Sequence, residues 1–246
     1  MTFLIFFGWM SLYSYECYSL LLPLLVLLVI SYSFIELKMQ SRLCFRDCFF
    51  EKNSIFAKIL SSKITVSIFY TIISIMMTAS ALTASMQLQS SLWFYLLSIH
   101  IILMILVYRV LNHIFRSSIH LSYRRLMARE WSINIMALLL ILVVLYLYYS
   151  GYAPDYLSDG LGESVLNASN SISSECRYTN KILKIEKEID AAFWWVVINS
   201  GDQIDYRPLK IASWSLFLLF NSLAILGINR FIAQIVHMID QIFKRG

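Results

Sequence analysis

The sequence predicts an all-α, polytopic integral membrane protein, and two observations carry that prediction. Hydrophobic residues make up 59% of the 246 residues and charged residues only 14%, which is far outside the composition of a soluble domain of this length. Crossing a hydrocarbon core takes about 20 helical residues, and apolar runs near that length recur along the chain. The five predicted spans are residues 18–35, 64–84, 91–111, 133–153 and 211–229.

An apolar segment precedes the first span and is too short to cross a membrane. Residues 2–13 are rich in Phe, Trp and Tyr, and aromatic side chains are enriched where the bilayer meets water. We therefore expect a short, non-spanning helix at the interface or at the periphery of a pore.

Two basic segments connect the predicted spans. Residues 36–63 carry six Lys or Arg side chains, and residues 112–132 carry four Arg side chains. Apolar residues in the second segment recur at helical spacing, which predicts a helix lying on the inner membrane surface. Its arginines either hold the segment in the cytoplasm or bind anionic lipid or a protein partner. These residues are Arg116, Arg124, Arg125 and Arg129.

The distribution of Lys and Arg predicts the orientation in the membrane. Placing residues 36–63, 112–132 and 230–246 inside puts thirteen basic side chains in the cytoplasm, against six in residues 154–210. The positive-inside rule then places the N-terminus outside and the C-terminus inside, with a bacterial inner membrane as the favoured location. Because this bias accounts for the net charge of +5, we expect the lipid bilayer as a partner and no direct nucleic-acid binding.

The predicted organisation has three parts. Residues 1–132 form the N-terminal transmembrane helices with the two basic segments. Residues 133–233 form a second module, which contains an extracytoplasmic helical segment at 154–188 and a short apolar helix at 189–203. Residues 234–246 form a cytoplasmic amphipathic tail.

The short apolar helix at 189–203 is the main candidate for a functional site. It is apolar enough to enter a membrane but too short to cross one, so we expect it to turn back at residues 199–202. Non-helical backbone at membrane depth is tolerated only inside protein or beside a water-filled cavity, which predicts a pore or a vestibule. The pore or filter candidates are Trp194, Trp195, Asn199, Ser200, Gly201, Asp202 and Asn221.

The order of span, external segment, aromatic re-entrant helix and final span resembles the pore module of tetrameric cation channels over residues 133–235. Phe193, Trp194 and Trp195 match the aromatic part of a pore helix, and Gly201-Asp202 matches the end of a filter. The Thr-Val-Gly-Tyr-Gly strand of potassium channels is absent. The resemblance implies a homo-oligomer, with a tetramer favoured, in which an Asp202 ring attracts cations.

Two alternatives to the pore remain open. The aromatic helix could instead lie in an external domain and pack its rings on the transmembrane bundle or on the headgroup surface. The whole chain could also be a non-conducting sensor or anchor that recruits a cytosolic protein through its basic segments and tail. Small bacterial membrane proteins of this class include the membrane subunit of the Kiwa phage-defence system and immunity proteins against bacteriocins.

No enzymatic function, cofactor or metal site is expected. The sequence has no nucleotide-binding glycine motif and no His/Glu metal cluster. Cys17, Cys44, Cys48 and Cys176 are too few and too scattered for a disulfide framework or a four-ligand zinc site. We expect His100 to be neutral and hydrogen-bonded, because none of the predicted spans contains a carboxylate.

Overall fold

The computed structural model describes residues 2–15, 17–49, 62–86, 90–203 and 207–243. Within these ranges it does not describe the side chains of residues 40, 42–49, 90–92, 121–122, 147–148, 200–203 and 243.

The described residues form α-helices, one short 3-10 helix at Cys17–Leu20, and no β-strand. The α-helices are α1 (Thr2–Leu12), α2 (Leu21–Phe49), α3 (Lys63–Ser85), α4 (Ser90–Ile114), α5 (Leu121–Tyr149), α6 (Leu161–Asn170), α7 (Arg177–Gln203) and α8 (Arg207–Phe243). Helices α2, α3, α4, α5 and α8 each contain a segment long and apolar enough to cross a membrane. The predicted all-α membrane architecture with five spanning helices is therefore confirmed.

Helix α1 is short, as predicted, and it packs on the bundle. Phe6 and Trp9 are buried, and the Phe6 ring centroid lies 6.2 Å from that of Trp93 and 5.7 Å from that of Phe231. These edge contacts join α1 to α4 and α8, and each contributes about 0.5–1.5 kcal/mol beyond area burial.

The predicted surface helix at 112–132 is wrong, because residues 112–114 end α4, residues 121–132 begin α5, and residues 115–120 connect these two helices. Helix α4 ends at Ile114, and α5 starts at Leu121 and continues without a break through Tyr149. The arginines suggested a surface location because an unpaired charge in a membrane is costly. Inside the bundle, carboxylates from α2 and α5 pair with the Arg129 guanidinium, so the helix can carry it into the interior.

Helix α8 is the central element, since it packs on α2, α3, α4, α5 and α7. Its crossing with α3 depends on Gly227: a Cβ atom there would lie 2.6 Å from the Met77 carbonyl oxygen and 3.2 Å from the Ala81 side chain. The tail predicted to start at residue 234 is the continuation of this helix. Within the predicted tail, Gln234 and Ile235 are buried in the bundle, and the first exposed large apolar side chain is that of Met238.

A disulfide joins the residues just before α2 to the residues just before α7. Cys17 and Cys176 are bonded across 159 residues of sequence, and two further contacts support the same junction. The Ser174 hydroxyl donates to the Tyr13 carbonyl at 2.6 Å, and the Glu175 amide donates to the Ser14 carbonyl at 3.0 Å. The start of α7 is therefore fastened to the start of α2, which the spacing of the cysteines did not predict.

We predict that Gly227→Ala lowers stability by about 1–3 kcal/mol, because the added methyl group forces α3 and α8 apart. Gly162 on α6 is the matched control, since a Cβ atom there meets no atom within 4 Å, and Gly162→Ala should be neutral or slightly stabilising. Thermal unfolding in mild detergent measures both effects. Equal midpoints for the two variants would contradict the tight crossing.

Candidate functional site

The predicted turn at residues 199–202 is absent, because α7 is helical from Arg177 through Gln203. The amphipathic pattern of 177–188 leads into the apolar segment with no proline between them. A single interior glycine costs a helix only about 1 kcal/mol, so Gly201 does not end it. The Asn199 amide donates to the Trp195 carbonyl at 2.9 Å, one helical turn back. The side chains of Ser200, Gly201 and Asp202 lie outside the described part of the structure.

The paired tryptophans contact the chain's own helices and loop. Trp194 is buried, with its ring centroid 5.0 Å from that of Phe217 on α8 and 6.2 Å from that of Tyr152. The Trp195 indole donates to the Asp159 carbonyl at 3.2 Å. This is the arrangement expected of a helix that packs its aromatic residues on the bundle.

Asn221 on α8 lies between two cavities. The larger cavity, about 120 Å³, is mainly apolar and is also lined by Trp93, His100 and Trp194. The smaller, about 20 Å³, is lined by hydroxyl and carboxyl side chains, and its volume suits a single water molecule. Its polar lining comprises Ser80, Thr83, Glu186, Asp190 and Asn221.

Beside the smaller cavity, residues 150–203, here called the cap, contain a buried polar cluster. The Tyr156 hydroxyl donates to the Asp190 carboxylate at 2.6 Å. The Lys187 ammonium lies 5.2 Å from the centroid of the Tyr156 ring. Lys187 and Asp190 are buried, and one carboxyl oxygen of Glu186 is buried without a hydrogen-bond partner among the described residues.

This environment shifts the pKa values of the cap residues. Burial raises the pKa of the Glu186 carboxyl, and the nearby Asp190 carboxylate raises it further. Burial also lowers the pKa of Lys187, against the attraction of Asp190. The pKa of Tyr156 is raised by burial and by Asp190, whose charged carboxylate is stabilised by the protonated phenol. A hydrogen bond with Ser80 lowers the pKa of Glu186, but burial and Asp190 outweigh it.

At the opposite end of the bundle, Arg129 on α5 makes four polar contacts. Its guanidinium donates to Glu36 at 2.6 Å, Gln234 at 2.6 Å, Glu130 at 3.1 Å and the Ser33 carbonyl at 3.2 Å. Arg129 is fully buried. The expectation that it binds lipid or a partner at the surface is wrong for this residue, because its charge is neutralised inside the chain.

Arg230 on α8 extends the same set of contacts. Its guanidinium donates to the Glu130 carboxylate at 2.8 Å and lies 3.8 Å from the centroid of the Phe34 ring. We call Glu36, Arg129, Glu130, Arg230 and Gln234 the ion network; it connects α2, α5 and α8.

The other predicted arginines differ in their surroundings. Arg116 is exposed and remains a candidate for lipid or partner binding. Arg124 donates to the Asn112 side chain at 3.1 Å, and Arg125 lies 3.9 Å from Asp240. Both of these side chains are partly buried.

His100 is buried and hydrogen-bonded to Asn229 at 2.5 Å, as predicted. The premise that no span contains a carboxylate is wrong, since Glu36 and Glu130 both lie within candidate spans. The sequence did not reveal them because each lies next to an apolar run, in a segment that we predicted to connect two spans. An acid beside such a run, with an arginine in another span, is the signal that could have found the network.

No family model, curated protein or solved structure matches this chain. In the described part of the chain, no group of three or more His, Cys, Asp or Glu side chains could hold a metal ion. Function is therefore inferred from the cap, the cavities and the ion network.

We predict that Glu186→Gln weakens the pH dependence of cap stability. Because the folded-state pKa is raised from its ordinary 4.5, this carboxyl contributes stability that is full below pH 4.5 and is lost as pH rises through the folded pKa. Gln mimics the protonated form, so the variant should lose less stability between about pH 4 and pH 8. Thermal unfolding across that range is the measurement. Exposed Glu175 supplies the control, Glu175→Gln, whose pH profile should follow the wild type.

Proposed function

We propose that this protein is a membrane sensor or anchor in which α8 couples the cap to a cytosolic partner. The observation that carries the proposal is the continuity of α8 across 37 residues. At 1.5 Å per residue the helix is about 55 Å long, against a hydrocarbon core of about 30 Å. One rigid element therefore spans the distance between the cap and the far end of the bundle.

Contacts at both ends of α8 support this proposal. Toward the cap, Phe217 packs on Trp194, and the Phe220 ring centroid lies 5.2 Å from that of Phe193. Toward the other end, Arg230 and Gln234 belong to the ion network. A displacement of α7 would shift aromatic contacts at one end of a helix whose other end is held by directional hydrogen bonds.

We place the cap outside the cell and the end of α8 in the cytoplasm. The charge bias favours this orientation, and the Cys17–Cys176 disulfide independently supports it, because disulfides persist in oxidising compartments such as the bacterial periplasm. The exposed apolar side chains at the end of α8, Met238, Ile239 and Ile242, then offer a contact for a cytosolic protein.

Hydrogen exchange tests the coupling. Asp190→Asn weakens the Tyr156 contact in the cap, and we expect faster exchange in peptides covering residues 236–243, which lie at the opposite end of α8. Glu175→Gln, at an exposed cap position, should leave these peptides unchanged. Faster exchange confined to residues 150–203 in Asp190→Asn would exclude coupling through α8.

A second candidate function is cation conduction by an oligomer of this chain, as the resemblance of residues 133–235 to a pore module implies. The observation in its favour is that Asn221 and the acids Glu186 and Asp190 line the same small cavity. Oxygen-rich linings of this kind favour cations over anions.

Reconstitution into planar bilayers tests this second candidate. If Asp202 forms a ring at the mouth, Asp202→Asn should reduce cation preference and Asp202→Lys should reduce it further or reverse it, because the ring charge changes sign. The wild-type chain is the reference. A wild type that carries no current, or variants with unchanged ion preference, would count against the acid ring and favour the sensor.

A further inference from the structure

The two cavities beside Asn221, one apolar and one polar, share a wall. Ala84, Asn221 and Ala224 line both of them. The two alanines contribute a single methyl group each, which leaves Asn221 as the largest side chain in this wall. We call the two adjoining cavities the composite site.

The larger cavity suits a small apolar group. It is lined by aliphatic side chains of α4, α5 and α8 and by the indole rings of Trp93 and Trp194. An apolar cavity of about 150 Å³ holds benzene, so a cavity of about 120 Å³ suits one ring or a short alkyl chain. The two tryptophans also offer ring faces and edges to an aromatic ligand.

The side chains that line the smaller cavity offer hydrogen-bond acceptors. The Thr83 hydroxyl and the Asn221 amide nitrogen each donate to a backbone carbonyl one helical turn back, both at 3.0 Å, so their oxygens are the atoms that can accept from a ligand. The carboxyl groups of Glu186 and Asp190 line the same cavity. One Glu186 oxygen is buried without a hydrogen-bond partner among the described residues.

A primary ammonium group matches this lining in size, in donors and in charge. The volume suits one water molecule, which is about as large as an ammonium group, and an ammonium group has three N–H donors. Lys187 supplies one positive charge beside Asp190, so the two carboxylates leave one negative charge when Glu186 is ionised. Burial raises the pKa of Glu186 and Asp190 raises it further, and a bound cation would offset that repulsion.

We propose that the composite site binds a small amphipathic primary amine. Its ammonium group lies between Glu186 and Asp190, and its apolar body passes Asn221 to contact Trp93 and Trp194. A metal ion could pair with the acids, but it would leave the adjoining apolar cavity unfilled.

This inference deepens the sensor proposal, on which it rests for its biological role. Residues of the cap and of α8 line both cavities, so the ligand bridges the two elements that the sensor couples. The amine is thus the class of ligand that the sensor would detect.

Isothermal titration calorimetry in a nonionic detergent tests the composite site with three probes. They are 2-phenylethylamine, the neutral 2-phenylethanol, and the trimethylammonium analogue of the amine, which keeps the charge but enlarges the head group. We expect the primary amine to bind at least about tenfold more tightly than either of the others, because it alone makes charge-assisted hydrogen bonds in the smaller cavity. Equal binding of the three probes, or no saturable binding of 2-phenylethylamine, overturns the proposal.

Glu186→Gln tests the polar end of the composite site. The variant keeps the size of the side chain and removes its charge, so the affinity for 2-phenylethylamine should fall about tenfold while that for 2-phenylethanol stays unchanged. Glu175→Gln, at an exposed position of the cap, is the control and should bind the amine as the wild type does. Wild-type affinity of Glu186→Gln for the amine would exclude this end of the site.

Ala84→Leu tests the wall between the two cavities. The larger side chain occupies the composite site and should abolish binding of 2-phenylethylamine. Ala79→Leu, on the same helix and also partly buried but lining neither cavity, is the matched control and should bind normally. Thermal unfolding without ligand verifies that each variant is folded, and Ala224→Leu places the same bulk from the α8 side if Ala84→Leu does not fold. Undiminished binding by a folded wall variant overturns the proposal.

Binding and coupling are measured separately. Amine binding that leaves hydrogen exchange of residues 236–243 unchanged supports the composite site and counts against the sensor. Faster exchange of those residues in Asp190→Asn, with no amine binding to the wild type, supports the sensor and overturns this ligand class.

Discussion

The pairing of Arg129 with Glu36 and Glu130 is the interaction on which the arrangement of the bundle depends. A charge inside a membrane bundle is costly unless it is paired and hydrogen-bonded, and here one buried guanidinium contacts α2, α5 and α8. These hydrogen bonds are directional, so they define the rotation and depth of each helix more narrowly than apolar packing does. Removing one partner of a buried pair typically costs about 3–5 kcal/mol, which makes alternative registers of the helices unfavourable.

The rest of the fold follows from the position of α8 that this network sets. The close approach at Gly227 brings α3 against α8, and the part of α8 beyond it meets the cap through Phe217 and Trp194. The disulfide between Cys17 and Cys176 holds the other side of the cap to the first span. The contacts of the cap with the rest of the chain thus include one that is covalent, to the first span, and aromatic packing on α8.

Much of the fold could be predicted from local sequence, while the site could not. Apolar runs of sufficient length identify spanning helices. The hydrocarbon core requires each one to be about 20 residues long and to satisfy its own backbone hydrogen bonds. The errors arose where a charged residue lies inside a helix. We ended the first span before Glu36 and began the fourth only after Arg129 and Glu130, and we predicted a loop and a surface helix for the residues between. The turn assigned at Asn199 failed for a related reason. Small polar residues favour turns locally, but continuous helical packing on both sides of them outweighs that preference.

The sequence by itself determined that this chain is an all-α membrane protein with five spanning helices and a short first helix, since those properties depend on composition and on the length of apolar runs. Only the tertiary structure decided which polar residues meet. Contacts such as Arg129 with Glu36, Tyr156 with Asp190, and the disulfide between Cys17 and Cys176 join residues far apart in the chain. Their energies depend on burial and distance, and neither quantity is set until the helices have packed.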